Sequence, residues 1–182
     1  MGEALVERGG GIYNEYMKKI AVLLADGFEE VEAVTPIDFL RRAGVEVLAV
    51  GVAGKTATGS HGVTISADVE LGRLSGDMDG VVLPGGMPGA RNIADSAAAV
   101  DLVRRALEGG KIVAAICAAP AVVLGAHGLL RGRRFTCYPG FEKEVRDAVF
   151  SPDRVVVDGN LITSRGPGTA AEFALALIEK IV

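Results

Sequence analysis

The hydrophobic positions of the 182-residue chain fall into short, nearly unbroken apolar runs separated by longer stretches of helical periodicity. Residues 19–25 (KIAVLLA) predict a strand covered on both faces, since a half-exposed strand would alternate polar and apolar positions. From about residue 30 to 43, Val31, Val34, Ile37 and Leu40 recur at helical spacing, and Gly44 follows where glycine caps a helix most readily. Residues 45–52 predict the next strand, and residues 54–66 a small antiparallel excursion with turns at Gly59 and Gly62. Residues 81–83 form a third buried strand ending in the turn PGGMPG, after which one helix runs to about Leu107. Residues 111–116 (KIVAAI) predict a fourth core strand leading straight into Cys117. A helix near 118–126, strands near 154–157 and 161–164, and a last helix after Gly168 complete the pattern.

Short apolar strands alternating with amphipathic helices are the signature of parallel βαβ units. The order predicts a flavodoxin-like α/β fold: a doubly wound, mainly parallel sheet with helices on both faces, whose ligands sit at the carboxyl ends of the strands. The length suits one domain over residues 1–182, with no internal repeat or low-complexity linker.

Composition narrows the classes of function. Hydrophobic residues make up 49% and charged residues 23%, a globular balance. No apolar run reaches the roughly 20 residues needed to cross a bilayer, so no membrane partner is expected. Residues 1–16 carry Glu3, Glu7 and Glu15 without an apolar core, unlike a signal peptide. A net charge of −4 and a pI near 5.3 argue against nucleic acid as a main partner. The one dense basic patch, Arg131, Arg133 and Arg134, reads as a solvated turn. Two cysteines in a domain of this size suggest a reducing, cytoplasmic setting. With two histidines and no Cys/His cluster, no metal site is expected.

Reactive groups gather at three strand ends: residues 26–32 (DGFEEVE), the PGG turn at 84–86, and residues 116–120 (ICAAP). Cys117 stands where an apolar strand gives way to small residues opening a helix, the layout of a nucleophile elbow. A helix N-terminus there would lower the thiol pKa; the competing use of such a cysteine is inert packing. Cys137 has no comparable context and reads as structural. Glu32 is placed to approach the sulfur, either as a charged carboxylate that raises the thiol pKa or as a protonated one that donates to a thiolate. Gly85, Gly86 and Ala118 offer backbone N–H groups for an oxyanion hole. His127 lies too far along the helix after Cys117 to serve as its base, and His61 sits in the excursion near the mouth. No histidine base can be named, which counts against a peptidase.

DGFEEVE, VVLPGG at 81–86, AAICAAP at 114–120 and TSRGPGT at 163–169, in that order, resemble the ThiJ/PfpI superfamily, in the branch of the Parkinson-disease-associated protein deglycase and bacterial YajL. The resemblance covers the chain from Met17 onward. It implies that Cys117 is the nucleophile and redox-sensitive thiol, that Glu32 is its acidic partner through a protonated carboxyl, and that Gly85, Gly86 and Ala118 supply backbone donors. It also implies a homodimer that needs no cofactor. The activities it suggests are glutathione-independent glyoxalase action on methylglyoxal and deglycation of early glycated proteins. The alternative it suggests is a redox chaperone or oxidative-stress sensor working through the same cysteine. Close relatives carry a histidine where this chain has Tyr138 and an arginine where it has His61, so both are candidate accessory residues. Residues 2–16 (GEALVERGGGIYNEY) look like the family's C-terminal tail placed ahead of the usual start, as in a circular permutation.

Overall fold

In the computed structural model, which describes residues 5–8, 11–14 and 17–182, both faces of one sheet are buried. The expectation for residues 2–16 lies largely outside the described residues; within that stretch β1 (Leu5–Arg8) and β2 (Gly11–Asn14) pair antiparallel. The sheet begins with β3 (Lys19–Leu24), followed by α1 (Glu30–Arg42) and β4 (Glu46–Gly51). β5 (Thr56–Thr58) and β6 (Thr64–Ser66) form the expected antiparallel excursion, and β7 (Val69–Glu70) adds an unpredicted edge strand beside β4. Next come β8 (Gly80–Leu83), α2 (Gly89–Ala94), α3 (Ala97–Glu108) and β9 (Ile112–Ile116). After β10 (Arg134–Phe135) and β11 (Val149–Phe150), the chain closes with β12 (Val155–Asp158), β13 (Leu161–Ser164) and α4 (Ala170–Ile181).

The seven-stranded sheet runs β12-β13-β9-β8-β3-β4-β7, parallel throughout except where β12 pairs with β13. This is the flavodoxin-like order that the apolar runs predict. Along β3, Ile20, Val22 and Leu24 join the core on one face, while Ala21 and Leu23 join the core on the other. The first core is closed by α1 and α4 through Ala33, Leu40, Phe173 and Leu177. The second is closed by α2 and α3 through Ala90, Ile93, Ala99 and Val103.

Two of the expected helices differ from expectation. The single helix predicted up to Leu107 is two, because the chain breaks after α2 and Ser96 restarts it, its Oγ accepting the N–H of Ala99 at 3.3 Å. The helix predicted at 118–126 is a short wide turn, Pro120–Gly125, with π-type hydrogen bonding. The N–H of Ala126 there reaches back five residues to the Ala121 carbonyl at 3.0 Å.

Phe173 is fully buried between α4 and the sheet. Phe173→Ala is expected to destabilise the fold by about 3–5 kcal/mol, read as a lower urea midpoint with an unchanged m-value.

Candidate active site

β3 is flanked on one side by β4 and on the other by β8, so the strand order reverses across it, and crevices form at the carboxyl ends beside such a reversal. The loops after β3, β8 and β9 bring DGFEEVE, PGG and Cys117 together there. Cys117 has φ 65°, a left-handed conformation that a non-glycine residue enters at a cost of about 1–3 kcal/mol. Its N–H donates to the Ser164 carbonyl and its own carbonyl accepts the N–H of Tyr138, both at 2.9 Å. These two bonds hold the strained residue between the end of β13 and the segment after β10. Cys117 thus sits on a strained turn directly after β9, with no regular helix following it.

Glu32, on the first turn of α1, has no solvent exposure. Its Oε2 accepts the N–H of Gly85 at 2.8 Å, a hydrogen bond joins its carboxyl to the Cys117 thiol, and its Oε1 is buried without a partner. The approach depends on glycine: a β-carbon on Gly85 would lie 2.5 Å from the Cys117 Cβ and 2.6 Å from Glu32 Oε2. Burial raises Glu32 from its ordinary value of 4.5 to about 7, opposed by the hydrogen bonds from Cys117 and Gly85 and reinforced by the negative charge of Glu29. The alternatives that the sequence left open thus resolve toward a carboxyl protonated up to neutral pH.

The expected lowering of the Cys117 pKa is corrected by this surrounding. Burial, with the charge of an ionised Glu32 behind it, pushes the thiol up to about 12, while the N–H groups of Gly86 and Ala118, hydrogen-bonded to the sulfur, pull the other way. The push from Glu32 lasts only while that carboxylate is charged. Below about pH 7 Glu32 carries its proton, donates toward the sulfur and ceases to oppose a thiolate. The N–H groups of Gly86 and Ala118 face the sulfur. Gly85 does not, because its N–H is committed to Glu32 and holds the acid in place.

The accessory candidates separate. Tyr138 stands at the rim, half-exposed, with its backbone tied to Cys117. His61 instead binds Glu30: its ring Nδ1 lies 3.0 Å from Oε2 and its N–H donates to Oε1 at 2.8 Å. These bonds, with donors from Glu30's own backbone and from Val63, outweigh burial and hold Glu30 down to about 2. Glu29, Glu30 and His61 place three ligand-type atoms within 4.8 Å of one another, a set the sequence analysis did not assemble. The positive end of α1 faces this set and disfavours a cation there. His127 is within hydrogen-bond distance of the Ala94 carbonyl through Nε2, at 3.0 Å, away from the sulfur. Cys137 is fully buried, as a structural cysteine would be. Gly166 and Thr169, both within TSRGPGT, carry no role legible from the sequence. Thr169 Oγ1 accepts the Gly166 N–H at 3.2 Å and lies 2.6 Å from Ser164 Oγ, bracing the loop that receives the Cys117 N–H.

Comparison with known proteins agrees with this fold. Residues 18–180 match the profile described as the DJ-1/PfpI family. Protein dj-1beta of Drosophila melanogaster is 45% identical over 168 residues, covering 90% of this chain and 89% of that protein. The crystal structure of Drosophila melanogaster DJ-1beta superposes with a TM-score of 0.87 at 43% identity, covering 91% of this chain and 90% of that one. Protein DJ-1 homolog B of Arabidopsis thaliana is 44% identical over 89% of this chain, and the chain spans 37% of that longer protein. A protein of Pyrococcus abyssi named a deglycase is 38% identical, covering 82% of this chain and 91% of that protein.

The raised Glu32 pKa sets a direction for stability. In the unfolded chain this carboxyl loses its proton near 4.5, whereas the folded protein keeps it to about 7. The folded state therefore binds the extra proton in that window, and the stability it contributes at acid pH is lost as pH rises through about 7. Glu32→Gln abolishes the effect, so from about pH 4.5 to pH 8 the difference in unfolding free energy should move in the variant's favour by about 3 kcal/mol. Urea unfolding of both proteins at each pH measures this, and a difference that stays flat would mean the buried carboxyl is ionised throughout.

Proposed function

The chain belongs to the DJ-1/PfpI family, and from that membership and its Glu32–Cys117 pair we propose a cysteine-dependent glyoxalase or deglycase. Its substrates are methylglyoxal-type aldehydes or their early protein adducts, in a reducing cytoplasm and without a cofactor. The observation that carries this reading is a fully buried carboxyl, hydrogen-bonded to the thiol and holding its proton to near neutral pH. A general acid–base group works best when its pKa lies near the working pH.

The steps follow from the positions of the groups. The Cys117 sulfur adds to the aldehyde carbon, and the thiol proton passes through Glu32 to the carbonyl oxygen, giving a hemithioacetal. The N–H groups of Gly86 and Ala118, which hydrogen-bond the sulfur, are at hand for the developing oxyanion. The ionised form of Glu32, present alongside the protonated one near pH 7, takes the proton from the former aldehyde carbon and returns it to the neighbouring carbon, while the hydroxyl proton moves to the former ketone oxygen, leaving a thioester of lactate. Water cleaves the thioester, releasing lactate and the free thiol. With an early amine adduct, the sulfur takes the carbinol carbon and the amine leaves.

A second reading rests on the same three hydrogen bonds to sulfur, from Glu32, Gly86 and Ala118. They would stabilise a sulfinate formed when two equivalents of peroxide oxidise Cys117, as a stress sensor or redox chaperone requires. Peptidase activity finds no support, since both histidines have partners away from the sulfur. The chain acts as a homodimer in either reading, for which the exposed Val31 and Val34 of α1 and Val63 beside Glu30 provide apolar surface.

Lactate formation from methylglyoxal without glutathione tests the enzyme reading. Wild type is expected to turn over, and Cys117→Ala and Glu32→Gln to lose activity by about 100-fold or more. Turnover that survives Cys117→Ala would refute it, whereas an inactive wild type that gains two oxygens at Cys117 with peroxide would favour the sensor.

A further inference from the structure

The rim of the site holds an unused acceptor beside an aromatic wall. Glu32 Oε1 is buried and unpartnered, and the space next to it is bounded by Gly166 and Tyr138. A β-carbon built on Gly166 would stand 3.1 Å from Tyr138 Cδ2, 3.6 Å from its Cε2 and 3.9 Å from Glu32 Oε1. The tyrosine ring and the Glu32 carboxyl thus flank the same point, and a β-carbon there would require the ring to give by a few tenths of an ångström. Gly166 is extended there, so glycine serves the close approach and not the backbone conformation.

The ring is held on several sides. The Tyr138 N–H donates to the Cys117 carbonyl at 2.9 Å, and the Tyr138 carbonyl accepts the N–H of Phe141 at 3.2 Å. Phe141 meets the ring edge-on, with centroids 6.4 Å apart and planes at 77°. Thr169 bonds both the N–H and the carbonyl of Gly166, which keeps the floor beneath the ring in place. Tyr138 nonetheless remains 46% exposed. It lies at the mouth of the site and not in the core.

We propose that Tyr138, packed on Gly166, is the specificity-determining wall of this site, admitting small unbranched oxoaldehydes to Cys117 and excluding those with bulky substituents. The inference rests on the aldehyde reading above and sharpens it: the free aldehyde is favoured over its protein-bound adducts. The Tyr138 ring is the group an incoming substituent would meet beside Glu32 Oε1. Shape exclusion of this kind is worth a factor of about ten to a few hundred.

Two probes of Cys117 separate this proposal from the activity itself. Iodoacetamide is slim and N-phenylmaleimide is bulky, and mass spectrometry of the Cys117 peptide gives the alkylation rate for each. In Tyr138→Ala the ratio of maleimide to iodoacetamide rate should rise about tenfold or more, while Tyr138→Phe, which keeps the ring, should stay at the wild-type ratio. Gly166→Ala fills the gap and should lower the ratio, which keeps the test decisive if Tyr138→Ala does not fold. The kcat/KM ratio of phenylglyoxal to methylglyoxal should move in the same directions. If wild type does not turn over methylglyoxal, the enzyme reading fails while the alkylation ratio still decides the role of the wall. Ratios that match wild type in both Tyr138→Ala and Gly166→Ala would overturn the proposal, as would a Tyr138→Phe ratio as high as that of Tyr138→Ala.

Discussion

The proton on Glu32 is the constraint around which the site is organised. A carboxyl with no solvent exposure cannot be charged cheaply, and Glu32 has one backbone donor, from Gly85, together with its bond to the thiol. One of its oxygens has no partner. The protein therefore keeps this acid neutral across a range in which a surface glutamate would be ionised, and gives up stability to do so. That sacrifice has a chemical use, because a thiol beside a neutral acid and a thiol beside a carboxylate are different nucleophiles.

The fold makes the arrangement possible through backbone geometry. Glu32 comes from the helix after β3, Gly85 from the turn after β8 and Cys117 from the end of β9, three neighbouring strands of the sheet. Parallel strands leave their carboxyl ends on one side, so the three loops converge without a dedicated structure to gather them. Gly85 lets the Cys117 Cβ and the Glu32 carboxyl close on each other, and Gly86, at φ 83°, occupies a conformation that a side chain would strain. The left-handed Cys117 then presents its sulfur to the N–H groups of Gly86 and Ala118. Strain at Cys117 is balanced by the loop from Ser164 to Thr169, which accepts the Cys117 N–H and holds the hydroxyls of Ser164 and Thr169 2.6 Å apart.

How much of this was legible follows from where each signal resides. Strands such as 19–25 and 111–116 were legible because burial on both faces writes a continuous apolar run into the sequence. The division into α2 and α3 was not, because alanine-rich helical spacing continues across Asp95 and Ser96 and the cap at Ser96 is a local hydrogen bond. Placing Cys117 and Glu32 at one crevice followed from topology. The direction of the thiol shift did not, because burial outweighs the backbone N–H groups that the strand-to-turn position suggests. Gly85 was read as an open donor since its partner, Glu32, lies 53 residues away in the chain. The bond between His61 and Glu30 joins residues 31 apart, and no short motif encodes it.

Enzyme and sensor then appear as two uses of one electrostatic balance. A thiol pushed up by burial is protected from casual oxidation, while a Glu32 that holds its proton to about 7 supplies that proton when the sulfur acquires charge. Both proposed reactions, substrate addition and peroxide oxidation, would place negative charge where Glu32, Gly86 and Ala118 converge, on the oxygen of an adduct or of a sulfinate. The pocket responds to charge at that point without regard to which reaction brings it. On the proposed reading, selectivity would come from what can reach the sulfur, and reach would be decided at the rim, where the ring of Tyr138 lies against a residue with no side chain.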